Sequence, residues 1–193
     1  MKLLKAFAAA ALLLISTACG GNNKQEKTLI VFFSHAGENY AVGNVKVGNT
    51  KIVADYIKER TGADEFEIIP EKSYDMPYSD LTKLAQKEAE NGELPPFKGA
   101  VNDIEQYDTV FIGGPVWWGT YPQVMFTFFK KYDLNGKTII PFTTHEGSGL
   151  ANVVEDLKSL YPKATITGAF AIYGHEVRSG KAKVEKWLES MGY

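Results

Sequence analysis

Three short segments of the chain combine residue types that suit ligand binding. The first runs from Ser34 to Gly48-Asn49-Thr50, where an amphipathic stretch begins. The N–H groups at the start of a helix attract anions, so these hydroxyl and amide groups could hold a phosphate without a positively charged side chain. The alternative is that Asn49 or Thr50 only caps the helix.

The second segment, residues 113–122, reads GGPVWWGTYP. Trp117 and Trp118 are adjacent, and adjacent side chains point in different directions, so we do not expect both indoles in the core. Large flat aromatic rings in a ligand-binding loop suggest stacking on a planar ring. The alternative is that one tryptophan packs over the end of the sheet and the other covers a neighbouring helix.

The third segment, residues 143–149, reads TTHEGSG, and its glycines allow the backbone to approach a ligand closely. Ser148 could instead cap the next helix. We assign no acid–base role to His145 and Glu146, because the sequence shows no nucleophile or metal partner for them. The three histidines have no metal-ligand spacing, so we predict neither a metal site nor catalytic residues.

The elements between these segments alternate between short apolar runs and amphipathic stretches. This alternation predicts an α/β fold with a doubly wound five-stranded parallel sheet, order 2-1-3-4-5, and helices on both faces. In such sheets ligands bind beyond the carboxyl ends of the strands at the switch in strand order, which selects the three segments above. The predicted strands cover residues 28–33, 65–69, 109–113, 138–142 and 166–173, and the predicted helices cover 49–60, 79–91, 123–132, 150–160 and 184–191.

The three segments together resemble the flavodoxin family, most closely its bacterial flavodoxin-like branch with paired tryptophans. The resemblance rests on VFFSHAGENY…GNTKIVA, GGPVWWGTYP and PFTTHEGSGL. It implies a flavodoxin-like fold over residues 28–193 with non-covalent FMN as the cofactor. By this resemblance three groups of residues would bind FMN: Ser34, Gly48, Asn49 and Thr50 at the phosphate, Pro115, Val116, Trp117, Trp118 and Gly119 at the ring system, and Thr144, His145, Glu146, Gly147 and Ser148 over its other edge.

Two features depart from the family pattern. In well-studied flavodoxins only a few residues separate the first hydroxyl from Gly-Asn-Thr, whereas here residues 35–47 intervene. This insertion could fold over the flavin, shape a substrate pocket, or displace Ser34 from the phosphate. Those carrier proteins are strongly acidic, whereas the net charge here is only −2. This weakens the case for long-range steering toward a basic redox partner, and it gives no electrostatic case for nucleic acid.

The N-terminus carries a predicted export signal. Residues 1–18 have a positive start at Lys2 and Lys5 and a short apolar core, which is typical of a signal peptide rather than a membrane span. Cys19, the only cysteine, follows small residues and resembles a lipoprotein lipidation site, although the polar Ser16 is off pattern. We therefore expect a lipid-anchored, extracytoplasmic protein with a flexible tether over residues 19–27. The alternative is cleavage near residue 18 and a soluble exported protein.

Three functions fit the sequence. The first is an FMN electron carrier with an unknown redox partner. The second is an FMN-dependent reductase of a quinone or similar small acceptor, with the insertion forming a pocket wall. The third is a non-redox binding module in which the flavin site has decayed, and the intact glycine and tryptophan motifs argue against it.

Overall fold

The computed structural model of the protein describes residues 26–193. The predicted signal peptide, Cys19 and residues 20–25 of the predicted tether lie outside the described residues. In chain order the strands are β1 (Thr28–Phe32), β2 (Gly37–Asn39), β3 (Gly43–Val45), β4 (Asp64–Glu67), β5 (Ile69–Pro70), β6 (Phe97–Lys98), β7 (Thr109–Pro115), β8 (Thr138–His145), β9 (Thr165–Ile166) and β10 (Phe170–Tyr173). The α-helices are α1 (Asn49–Thr61), α2 (Tyr78–Asn91), α3 (Gln123–Lys131), α4 (Val153–Leu160) and α5 (Lys181–Ser190).

The central sheet has the strand order β4-β1-β7-β8-β10, and each of these neighbouring pairs is parallel. When only these five strands are numbered along the chain, the order reads 2-1-3-4-5, so the predicted topology is confirmed. The order reverses direction between β1 and β7, and the carboxyl ends of these two strands meet at one edge of the sheet. That edge is where a ligand site is expected in a doubly wound fold.

Alternate residues of the central strands supply two separate cores. Leu29 and Val31 of β1 pack on the face covered by α2, α3 and α4, whereas Ile30 and Phe32 pack on the face covered by α1 and α5. A strand covered on both faces gains apolar burial at every position, which explains why the segment TLIVFF has no polar alternation. The predicted helices on both faces of the sheet are therefore confirmed.

The predicted last strand, residues 166–173, is wrong in its continuity, because it is divided into β9 and β10. Thr167 N donates to Ile139 O at 3.1 Å, so the odd-numbered residues of β8 direct their backbone groups toward the last strand. Pro141 is the next of these residues and has no N–H to donate. The ladder is interrupted at that point, and Gly168 between the two short strands takes a φ of +60°.

The other elements differ from the prediction mainly at their ends. The predicted second strand separates into β4 and β5, and β5 pairs with β6 in an antiparallel ladder away from the central sheet. The fourth helix begins at Val153 rather than at residue 150, so Ser148 is not its cap. Over residues 26–193 no helix combines the length and apolar character needed to cross a membrane.

Candidate functional site

A cavity of about 300 Å³ opens at the carboxyl edge of the sheet, beside the switch in strand order. The three segments singled out from the sequence meet there. Four of the predicted residues, Ser34, Gly48, Gly119 and Gly147, are not among the residues that line it. The other ten line it: Asn49, Thr50, Pro115, Val116, Trp117, Trp118, Thr144, His145, Glu146 and Ser148.

The first turn of α1 forms one end of the cavity. Gly48 precedes the helix as its N-cap residue with no side-chain cap, so the helix is not capped by Asn49 or Thr50. Ser34 Oγ instead accepts a hydrogen bond from Lys51 N at 3.0 Å. The N–H groups of Asn49 and Thr50 belong to the same turn, where a helix provides no backbone acceptor. This end of the cavity therefore suits an anion.

The insertion between Ser34 and Gly48 does not move these two residues apart. A Cβ built on Gly48 would lie 2.2 Å from Ser34 Oγ and 2.6 Å from His35 O, so only glycine fits there. Thr50 Oγ1 and Thr144 Oγ1 are 2.8 Å apart, which ties the first segment to the third. The buried Asn49 Oδ1 has no hydrogen-bond partner. The arrangement leaves a buried acceptor beside the helix N-terminus that a ligand could satisfy.

The two tryptophans have different surroundings, as the packing alternative anticipated. Trp117 is half-buried over the end of the sheet, with edge-to-face contacts to Phe33 and Tyr74 at 5.4 Å. Trp118 is 55% exposed, and its indole N–H donates to Thr82 O in α2 at 3.1 Å. Trp118 also has a φ of +52°, an uncommon conformation for a bulky residue. Strain of this kind persists where the surroundings fix it, and it is common in ligand-binding loops.

The third segment places two titratable side chains at the opposite wall. Burial lowers the pKa of His145, against the opposing charge of Glu146. His145 Nδ1 accepts a hydrogen bond from Gly147 N at 3.0 Å, as a neutral imidazole does. The Glu146 carboxylate accepts the His175 backbone N–H at 2.9 Å and lies 2.7 Å from His175 Nδ1. Glu146 is thereby fixed at the cavity wall.

The structure adds lining residues that the sequence motifs do not contain. The insertion folds as the antiparallel hairpin β2–β3, and α2 packs beside it. The insertion was one suggested pocket wall, whereas no sequence signal marked α2 or Gly174 as part of a site. The added residues are His35, Glu38, Asn39, Tyr40, Val42, Tyr78, Leu81, Thr82, Ala85 and Gly174. None of the described lining residues is a lysine or an arginine.

The fold and the cavity define a doubly wound α/β protein with a ligand site at the switch in strand order. The chain belongs to the flavodoxin family, because the family model described as Flavodoxin matches residues 27–191. A search of curated proteins finds no match.

Solved structures agree with this assignment. A flavoprotein from Bacteroides eggerthii is 26% identical with a TM-score of 0.67, over 86% of this chain and 98% of that one. A flavoprotein from Bacteroides uniformis is also 26% identical, with a TM-score of 0.70 over 85% and 98% of the two chains. A flavoprotein from Lactobacillus acidophilus in complex with FMN has the same fold at 21% identity, with a TM-score of 0.61 over 84% and 99%.

Proposed function

We propose that the protein binds FMN in this cavity and transfers electrons through it. The observation that carries the proposal is the meeting of all three segments at one cavity, with a helix N-terminus suited to an anion at one end and aromatic and glycine-containing segments beside it. The family assignment and the FMN complex of the Lactobacillus acidophilus protein support the choice of cofactor. Bound FMN would supply one- and two-electron redox chemistry.

The residues of the chain have separable roles in this proposal. The first turn of α1, next to Ser34 and Gly48, would hold the phosphate through backbone N–H groups, because no described lining residue is cationic. Residues 115–119 and 144–148 would enclose the ring system. The fixed carboxylate of Glu146 would disfavour negative charge on a neighbouring ring, because like charges repel strongly where water is excluded. The protein would thus position the cofactor and tune its charge states.

A flavin titration tests the proposal directly. We expect the purified flavin-free protein to bind FMN in a 1:1 complex, seen as quenching of flavin fluorescence and a shifted absorption spectrum. Riboflavin, which lacks the phosphate, is the matched control ligand. Hydrogen bonds to a charged group contribute about 1.5–3 kcal/mol, so riboflavin should bind roughly 10- to 100-fold more weakly. Absence of FMN binding would leave the decayed-site alternative.

A second candidate function is an FMN-dependent reductase of a small acceptor. The hairpin β2–β3 and α2 favour it, because they extend the cavity beyond the three flavodoxin segments. Reduced nicotinamide and a soluble quinone, supplied together, distinguish the candidates: a reductase turns over by itself, whereas a carrier depends on its protein partners.

We further propose, from the sequence, that Cys19 carries a lipid that anchors the protein on the extracytoplasmic side of a membrane. We expect the exported wild-type protein to enter the detergent phase on phase separation and to show an acyl mass on its N-terminal peptide. Cys19→Ser should lose both properties because the acyl-accepting thiol is absent. Asn23→Ser, in the predicted tether, keeps that thiol and the residues before it and is the matched control. A wild-type protein without an acyl mass would favour the soluble exported form.

A further inference from the structure

The cavity holds a carboxylate close to the turn of α1 that suits an anion. Glu146 lines the cavity, and Gly174 allows its side chain to approach the start of the helix. A Cβ built on Gly174 would lie 2.5 Å from Asn49 Nδ2 and 2.8 Å from Glu146 Oε1, so these two polar atoms lie beside the same point. Asn49 is the first residue of α1. A charged carboxylate in this position would repel a phosphate held by the same turn.

His175 is placed to compensate this negative charge. It lies in the short helical segment Gly174–Ser179 that follows β10. Its backbone N–H donates to Glu146 Oε1 at 2.9 Å, and its Nδ1 lies 2.7 Å from Glu146 Oε2. Because an ionised carboxylate only accepts hydrogen bonds, Nδ1 carries a proton in both charge states of the ring, and the second proton is gained at Nε2. The pair can therefore change its net charge by one unit and keep its hydrogen bonds.

The other titratable side chains around His175 have a steadier charge near neutral pH. Glu176 forms an ion pair with Lys183 of α5, and the hydrogen bond from this lysine lowers the pKa of the Glu176 carboxyl. The Tyr173 ring contacts the His175 ring at 5.1 Å, and a phenol is uncharged in this range. Burial lowers the pKa of His145, which favours its neutral form. The His175 side chain is 54% exposed, so its ring can exchange a proton with water.

We infer that His175, paired with Glu146, determines how strongly the site prefers a phosphorylated flavin, and that this preference increases as the pH falls. Protonated His175 and ionised Glu146 form a neutral pair, which leaves the first turn of α1 free to attract a phosphate. Neutral His175 leaves the carboxylate uncompensated, and the phosphate is repelled. Histidine changes charge between about pH 5 and pH 8, so the change falls in the physiological range. The inference rests on the proposed function, because it takes the FMN phosphate to lie at the start of α1.

The test compares the Kd values of FMN and riboflavin at about pH 5.5 and about pH 8, measured by flavin fluorescence. The phosphate gains its second negative charge in the same range, so the decisive comparison is between the wild type and His175→Gln, for which the free ligand titrates alike. We expect both proteins to bind FMN equally at the higher pH. At the lower pH the wild type should bind FMN about fivefold more tightly, a modest factor because the half-exposed charge is screened by water. Riboflavin has no phosphate and should show no difference between the two proteins.

Two further variants separate charge from local structure. Glu146→Gln removes the repelling charge and should bind FMN about fivefold more tightly than the wild type at the higher pH. Arg178→Gln is the matched control, because it removes a permanent charge from the same helical segment, where the guanidinium donates to Val47 O at 3.4 Å. Arginine does not titrate in this range, so this variant should keep the wild-type ratio between the two pH values.

Two kinds of failure can be told apart. Equal FMN affinity of the wild type and His175→Gln at the lower pH would overturn the inference, and so would an equal loss of riboflavin affinity, which would indicate a structural role for His175. A wild-type protein that does not bind FMN at either pH would overturn the proposed function, and the inference with it.

Discussion

Gly48→Ala is expected to weaken FMN binding by about 100-fold or more, which corresponds to roughly 2.7 kcal/mol. A methyl group at this position would lie 2.2 Å from Ser34 Oγ and 2.6 Å from the carbonyl oxygen of His35. The second of these atoms belongs to the backbone, so a side-chain rotation does not relieve the clash. The segment or the first turn of α1 must shift, and both would contact the phosphate.

The consequence reaches beyond the substituted residue. Ser34 Oγ holds Lys51 N of the first turn, and Thr50 Oγ1 is 2.8 Å from Thr144 Oγ1 in the third segment. A shift of α1 would therefore change the hydrogen bonds that align two of the three segments. Hydrogen bonds weaken when their donor–acceptor distances change by a few tenths of an ångström. Several donors that hold one anion would be affected together, so a small substitution should have a large effect.

Gly136→Ala is the matched control for this experiment. Gly136 has a φ of +80° and open space around it, so the alanine strains the backbone without a clash. It should cost about 1 kcal/mol of folding free energy and leave the Kd for FMN unchanged. Isothermal titration gives the affinity, and urea unfolding gives the stability. Wild-type affinity in Gly48→Ala would show that the phosphate is not held at the start of α1.

The fold could be predicted from the sequence because its two main signals agree. Continuous apolar runs such as TLIVFF indicate strands buried on both faces, and the amphipathic stretches between them indicate the covering helices. The break between β9 and β10 was not predicted, because it arises from a neighbour in space: Pro141 lies in β8, and the strand that it interrupts comes later in the chain. Pairing register decides such effects, and a single sequence does not contain it.

The candidate site could be predicted only in part, for a related reason. Its three segments carry distinctive glycines and tryptophans, and the topology brings them together. Tyr78 and Thr82 lie in an ordinary amphipathic helix. They line the cavity because the hairpin β2–β3 packs beside α2, and the sequence does not show that packing. Ser34 is a different case, because its distance along the chain suggested displacement, yet the insertion folds as the hairpin β2–β3 and leaves the Ser34 hydroxyl beside Gly48.

Gly113→Ala is expected to destabilise the fold by about 3 kcal/mol, the upper part of the usual range for overpacking a core. Gly113 lies in β7, just before the loop that carries the tryptophans, and a Cβ there would lie 2.0 Å from Cζ of Phe142 in β8. Phe142 is fully buried, so its ring has no free space into which it can move. Glycine at this position lets an aromatic ring pack directly on the strand backbone.

A double-mutant cycle separates this clash from a general effect of the extra methyl group. Phe142→Leu alone removes part of the ring and should be destabilising through the space that it leaves. In Gly113→Ala/Phe142→Leu the new methyl group fills part of that space. The double variant should therefore lose less folding free energy than the two single variants lose together, by a coupling of about 1–3 kcal/mol. Urea unfolding of the four proteins measures the coupling, with Gly136→Ala as the control for a glycine-to-alanine change outside the core. Additive losses would mean that the methyl group and the ring do not compete for the same volume, and that a different contact fixes the end of β7 beneath the cavity.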